Sequence, residues 1–163
     1  KTLYYLNDRE NFLKDLESSI RSLIVSSKRL GMKPAVRLQG TSDEYDERWG
    51  GMEKFPEIQF YSYTKIARRI WQFARGQMPA NYHLTFSSSE ENQADVEEII
   101  RETNVNVAVV FKDGIFPETY LGRPVVDGTI HDLTFVHPTG VILGLKPTGK
   151  AKKDTSGFVV SAK

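Results

Sequence analysis

The chain of 163 residues is 39% hydrophobic and 26% charged, enough apolar material for one sizeable core and too little length for two, so one domain is expected over residues 1–163. Its 22 Lys and Arg against 21 Asp and Glu leave a formal charge of +1, which excludes a global field drawing the protein to nucleic acid or an anionic membrane; such binding must come from a local patch. Cysteine is absent, which excludes disulfides, thiolate metal sites and a cysteine nucleophile in this stretch, and no run approaches the roughly 18 apolar residues of a membrane span.

The chain therefore reads as soluble, with the cytoplasm as its expected setting and no membrane partner. Position 1 is Lys, and the first residues already read as folded sequence. The stretch is accordingly open to being part of a longer chain with an N-terminal segment ahead of it.

From Asn7, an N-cap followed three residues on by Glu10, the residues Phe12, Leu16, Ile20, Leu23, Ile24 and Leu30 recur at helical spacing up to Gly31, with Pro34 beyond. These are the start and stop signals of one long amphipathic helix. A short β-like run over 35–39 follows, and stops at Gly40 before an acidic loop containing Asp43, Glu44, Asp46 and Glu47. After Pro56 the β-branched and aromatic run 58–63 predicts a second strand, passing at Thr64 into a helix marked by Ile66, Ala67, Ile70, Trp71 and Ala74 and closed by Gly76. The unit repeats: 82–87 is strand-like, Ser88 with Glu91 predicts a capping box, Val96, Ile99 and Ile100 mark a third helix, and 105–111 reads as a buried strand.

Beyond it the helical signal fades. Asp113-Gly114, Asp127-Gly128 and Pro138 punctuate short β-like pieces at 124–126 and 133–135, and a last strand is expected over 141–145. Residues 148–163 form a basic C-terminal extension, polar and glycine-bounded, expected to be mobile or to dock. The fold class is thus α/β: alternating helices and mostly parallel strands in an open sheet or partial (half) barrel, with an irregular β-rich C-terminal part. Parallel strands place their C-terminal ends on one edge, where ligands of such sheets sit.

That edge collects Arg37, Gln39, Thr41 and Asp43 from the first strand, Tyr61, Tyr63 and Lys65 from the second, and His83, Thr85 and Ser87 from the third. Period-two spacing sends Arg37 and Gln39 to one face, and His83, Thr85 and Ser87 likewise to one face, whereas a doubly covered parallel strand is apolar on both. Either the sheet is covered on one side and these residues meet solvent, or curvature brings them to one interior as a binding site.

The three histidines, His83, His131 and His137, are candidate general bases or metal ligands, and His131 adjoins Asp132 in a loop. No readable zinc spacing connects them, so no metal is assigned. The acidic loop lacks the spacing of a calcium loop and reads as solvated charge. Residues 144–151 match a phosphate-binding loop until Ala151, which stands where Ser or Thr holds magnesium, and no helical pattern follows. For nucleic acid, Lys65, Arg68, Arg69 and Arg75 accompany one helix with Trp71 and Phe73 interleaved, and Lys146, Lys150, Lys152 and Lys153 make a basic tail. The same helix reads equally as a buried one with its arginines exposed.

The stretches Lys33-Pro34-Ala35-Val36-Arg37-Leu38 leading to Gly40-Thr41-Ser42-Asp43, then Phe60-Tyr61-Ser62-Tyr63-Thr64-Lys65, Asn81-Tyr82-His83-Leu84-Thr85-Phe86-Ser87 and Lys152-Lys153-Asp154-Thr155-Ser156-Gly157-Phe158 resemble a family carried by phages and plasmids, similar to the phage gene product eighty-eight group. The resemblance implies longer members with a cysteine-rich N-terminal segment, and a distant similarity to the partial barrels of radical S-adenosylmethionine enzymes, whose cysteines bind iron and sulfur. This chain contains no such cysteines, and no cofactor is assigned to it. The motif positions coincide with the strand-end set of Arg37, Thr41, Asp43, Tyr63, Lys65, His83, Thr85 and Ser87.

Three functions follow as expectations. The first is a phage or mobile-element accessory protein, acting in the host cytoplasm, that binds a nucleotide or nucleic acid at the strand edge, with Arg37 and Lys65 on phosphate and His83 bonding or transferring a proton. The second is an enzyme, the remnant of a cofactor-dependent barrel, in which His83, or His131 with Asp132, performs acid/base chemistry. The third is a protein-binding factor directed at host machinery.

Overall fold

The computed structural model describes residues 2–40, 43 and 49–162. A short helix, α1 (Thr2–Asn7), precedes the long helix α2 (Arg9–Leu30). The long helix expected from Asn7 is α2, capped one residue later: Asn7 ends α1, and Asp8 is the N-cap of α2, with its carboxylate accepting from the Asn11 amide at 3.2 Å. A charged acceptor there also complements the positive end of the helix. At the other end Gly31 takes the left-handed conformation at φ 65°, and the amides of Gly31 and Met32 donate to the carbonyls of Lys28 and Ser27.

The strands are β1 (Ala35–Arg37), β2 (Gln59–Thr64), β3 (Tyr82–Ser87), β4 (Val107–Phe111), β5 (Thr119–Tyr120), β6 (Arg123–Asp127), β7 (Ile142–Leu145) and β8 (Val159–Val160). Helix α3 (Ala67–Ala74) connects β2 to β3, and α4 (Gln93–Glu102) connects β3 to β4. The spatial order is β1-β2-β3-β4-β7-β6-β5, every pair parallel except β5 with β6, and the sheet is open. Strand β4 pairs with β3 only through Phe86 with Val107 and Ser87 with Ala108. Further along, β8 takes up β4, pairing Val159 with Val110 and Val160 with Phe111. The C-terminal stretch thus forms a 3₁₀ turn over Gly149–Lys153 and then returns to the sheet.

Alternation along the strands divides the sheet into two faces. Phe60, Leu84, Phe86, Val107, Val109, Phe111 and Ile142 are buried in one cluster with Ile70 of α3, Val96 and Ile99 of α4, and Ile20 and Ile24 of α2. Each such side chain contributes about 1.5–3 kcal/mol by leaving water. The opposite face carries Arg37, Tyr61, Tyr63, His83, Thr85 and Ser87, with a small apolar cluster of Ala108, Val141 and Leu143 beside them.

Two local expectations are corrected. Residues 133–135 are not a strand; a 3₁₀ turn occupies Thr134–Val136 and packs against β3. Ser88 does not cap α4, because its amide is still engaged by the sheet, donating to the Ala108 carbonyl at 2.9 Å. Helix α4 starts after Asn92, whose side chain turns back to accept from the Ser89 amide at 2.7 Å and donate to the Ser87 carbonyl at 3.0 Å. No helix among the described residues is long and apolar enough to cross a membrane.

Candidate functional site

On the face away from the helices, at the C-terminal ends of the strands, lies a cavity of about 450 Å³. Its floor is Arg37 at the end of β1, Tyr63 near the end of β2, and Ser87 and Leu145 at the ends of β3 and β7. Its wall is Gly128, Thr129, His131 and Asp132, from a segment that leaves β6 and crosses this face. We term residues 128–137 the strap.

The strap is tied at both ends. The Gly128 amide donates to the Gly144 carbonyl at 3.0 Å, and Asn106 Nδ2 donates to the Pro138 carbonyl at 2.8 Å. A Cβ at Gly128 would lie 3.1 Å from both Leu143 Cβ and Leu145 Cδ2, so the chain departs from the sheet where a side chain has little room. The Asp127 carboxylate accepts from the Thr129 amide at 2.8 Å and its hydroxyl at 2.5 Å, which fixes the first bend and holds the Asp127 carboxyl below its ordinary range. In the middle, the Phe135 ring meets Tyr61 edge-on, with centroids 5.4 Å apart.

Arg37 organises the mouth. Its Nη1 lies 3.0 and 2.8 Å from the two Asp132 oxygens, its Nε donates to the Gln39 carbonyl at 2.9 Å, and its guanidinium lies over the Tyr63 ring at 4.8 Å. Burial, reinforced by the negative charge of Asp132, pushes the Tyr63 phenol up to about 12. Tyr61 is raised for the same two reasons, and its hydroxyl donates to Asp132 Oδ2 at 3.4 Å. Both phenols are therefore donors at neutral pH. The ring of His131 lies tilted against that of His137, centroids 4.9 Å apart, and burial followed by the neighbouring His131 lowers the pKa of His137.

The fold thus brings together Arg37, Tyr63, Ser87, His131 and Asp132 from the residues singled out by sequence. It does not join His131 to Asp132 as an acid/base pair: the carboxylate is held by Arg37 and Tyr61, while His131 lies against His137. Thr85 stands one step inward, beside Tyr63 in the β2–β3 register and fully buried. His83 lies outside the cavity wall, edge-on to Phe73 at 5.5 Å; burial pushes its pKa down to about 4, so it is neutral at pH 7.

The remaining candidates have other placements. Asp43 is an internal anchor, accepting from Thr64 Oγ1 at 2.8 Å, the Lys65 amide at 2.5 Å and Arg69 Nη1 at 2.9 Å. Lys65 is exposed, its ammonium 5.4 Å from the centre of the Phe158 ring. Thr41, and residues 44–48 of the acidic loop, lie outside the described residues. Arg69, expected on the surface of α3, is fully buried and donates to the Tyr82 hydroxyl at 2.7 Å, because the carboxylate of Asp43 draws it inward. Trp71 and Phe73 pack against the core. Of the proposed nucleic-acid contacts, Arg68 on α3 and Lys150, Lys152 and Lys153 in the last 3₁₀ turn remain exposed. That turn also replaces the helix a phosphate loop needs at 144–151.

Gly128, Thr129 and Leu145 escaped sequence reasoning, although the Asp127-Gly128 turn signal marks the point where the strap departs. Among the described residues no group of three or more His, Asp or Glu side chains is placed to hold a metal ion.

Compared with protein-family models, residues 1–162 match the family described as Gene product 88. No curated protein and no solved structure matches the chain. Because the match runs from α1 through β8, taking in the strand ends and the strap alike, the chain belongs to the Gene product 88 family.

Proposed function

We propose that this protein is an accessory protein of a phage or mobile element that binds an anionic ligand of the nucleotide class at the C-terminal edge of its sheet. The observation that carries the reading is Arg37, held over the Tyr63 ring at the mouth of the cavity. A guanidinium presents a planar fork suited to phosphate, and the aromatic face beneath it keeps that fork oriented. The volume of about 450 Å³ falls within the range of small-molecule sites, about 300–1,000 Å³. It suits a mononucleotide or the end of a single strand better than a duplex. Asp132 occupies the position that a phosphate takes when bound, so ligand entry exchanges one anion for another on Arg37.

The test is calorimetric titration with nucleoside mono-, di- and triphosphates, beside gel retention of end-labelled single- and double-stranded DNA and RNA, with and without Mg²⁺, at two salt concentrations. Saturable, salt-sensitive binding is expected, weakened about 10–100-fold by Arg37→Ala through loss of a charge-assisted hydrogen bond. Absence of binding to every one of these at low salt overturns the reading.

A further inference from the structure

Two buried hydroxyls, Thr85 Oγ1 on β3 and Thr134 Oγ1 in the strap, have no hydrogen-bond partner among the described residues, and neither does the buried His83 Nε2 two positions before Thr85. Thr85 is 0% and Thr134 is 1% exposed. A buried hydroxyl without a partner lowers stability, and valine has nearly the same shape without that cost. Two such threonines on facing elements therefore call for an acceptor or donor that the folded chain does not itself supply.

Their placement relates them to the cavity. On β3, His83, Thr85 and Ser87 follow one another at period two along one face, and Ser87 lines the cavity. In the β2–β3 register Thr85 adjoins Tyr63, which also lines the cavity, and His83 adjoins Tyr61. The turn Thr134–Val136 packs against β3, and its Phe135 covers Tyr61. The row thus runs inward from the mouth and passes under the strap.

We infer that the cavity continues beneath the strap into an uncharged polar subsite, formed by Thr85 and Thr134, that takes the uncharged hydrogen-bonding part of a nucleotide while Arg37 takes its phosphate. This rests on the nucleotide reading above and extends it to the base or sugar. The chemistry is suited to that part, since threonine hydroxyls both donate and accept. Neither carries a charge that would recruit phosphate. The strap is held across the mouth by the Arg37–Asp132 pair, whose side chains are 28% and 51% exposed, and an exposed pair of this kind yields readily. The ligand is a nucleoside carrying a phosphate, either free or as the terminal nucleotide of a strand.

The experiment titrates the full chain with the four ribonucleoside and four deoxyribonucleoside 5′-monophosphates, with 5′-phosphorylated tetranucleotides, and with inorganic phosphate. Wild type is compared with Thr85→Val, Thr134→Val, Thr85→Ser and Arg37→Ala, and the Tm of each is recorded. The valine variants are expected to keep or raise Tm, to lose at least tenfold in affinity for the mononucleotide that wild type binds, and to leave phosphate affinity within twofold. Thr85→Ser, which keeps the hydroxyl, should retain the affinity, whereas Arg37→Ala should weaken nucleotide and phosphate together. Tetranucleotide binding as tight as the mononucleotide identifies a strand end as the source, and weaker binding identifies the free nucleotide. Unchanged mononucleotide affinity in both valine variants, with Arg37→Ala still weakening it, overturns the subsite and leaves the wider reading standing. A lower Tm in the valine variants also overturns it, since the hydroxyls would then serve the fold. Wild type binding no nucleotide overturns both.

Discussion

Arg37 and Asp132 are 95 positions apart in the chain and meet across the candidate cavity, with Arg37 Nη1 3.0 and 2.8 Å from the two carboxylate oxygens. The pair joins the end of β1, at one edge of the sheet, to the strap that follows β6 near the other edge. It thereby sets how firmly the strap lies over β2 and β3.

Asp132→Asn should loosen the strap at little thermodynamic cost. An exposed pair contributes about 1 kcal/mol or less, which for a domain of this size corresponds to a Tm change of about 2–4 °C or less. Chymotrypsin cleavage at Phe135, which the strap holds against Tyr61, should accelerate clearly in the variant. Equal cleavage rates in variant and wild type would show that the pair does not restrain the strap.

The buried Asp43–Arg69 pair should behave in the opposite way. Arg69 is fully buried whereas the Asp43 side chain is 29% exposed, so removing the carboxylate takes an ionic partner from a cation in the core, while removing the cation leaves an anion that water still reaches. Asp43→Ala is expected to cost about 3–5 kcal/mol in urea unfolding, and Arg69→Met less. The reverse ranking would contradict this assignment.

Arg123, at the start of β6, ties together the C-terminal end of α4 and the segment that leads into β4. Its Nη1 donates to the Val105 carbonyl at 2.6 Å, and its Nη2 donates to the Ile100 carbonyl at 2.7 Å and to that of Thr103. A buried cation at a helix C-terminus satisfies carbonyls that the helix leaves open and complements its dipole. Burial also lowers the Arg123 pKa, yet the group stays charged at neutral pH. Arg123→Met should cost about 2–4 kcal/mol and speed amide exchange in the last turn of α4 more than in α2. Uniform acceleration over both helices would instead point to global destabilisation alone.

His83 makes stability depend on pH. Burial lowers its pKa from 6.5 to about 4, so between those values the unfolded chain binds a proton that the folded chain refuses. Its contribution is fully present above pH 6.5 and is lost as pH falls toward 4. The amount is up to about 3 kcal/mol, since a tenfold change in proton affinity corresponds to about 1.4 kcal/mol. Urea unfolding of wild type and His83→Leu across pH 4–7 should give a shallower slope in the variant. Parallel slopes would show that the imidazole titrates normally in the folded state.

Local chemistry made much of this molecule legible before its shape was known. The turn-by-turn apolar spacing of α2, the glycine that closes it, the limits of β3 and the polar alternation of His83, Thr85 and Ser87 are written in short stretches, because helix and strand periods depend on neighbours a few residues away. Parallel pairing, read from strands separated by helices, placed Arg37, Tyr63 and Ser87 on one edge as candidate ligand contacts, and the cavity contains all three. The open order of the sheet, the insertion of β7 between β4 and β6, and the pairing of β8 with β4 were decided only in three dimensions, since strand partners chosen across long loops leave no local mark. Residues 133–135 have the composition of a strand, yet they lie across the sheet as part of the strap, because Phe135 gains more by covering Tyr61 than by adding a ladder. Likewise His131 and Asp132 are neighbours in the chain and part company in the fold, where Arg37 offers the carboxylate a full charge and His137 offers the imidazole a ring to pack against.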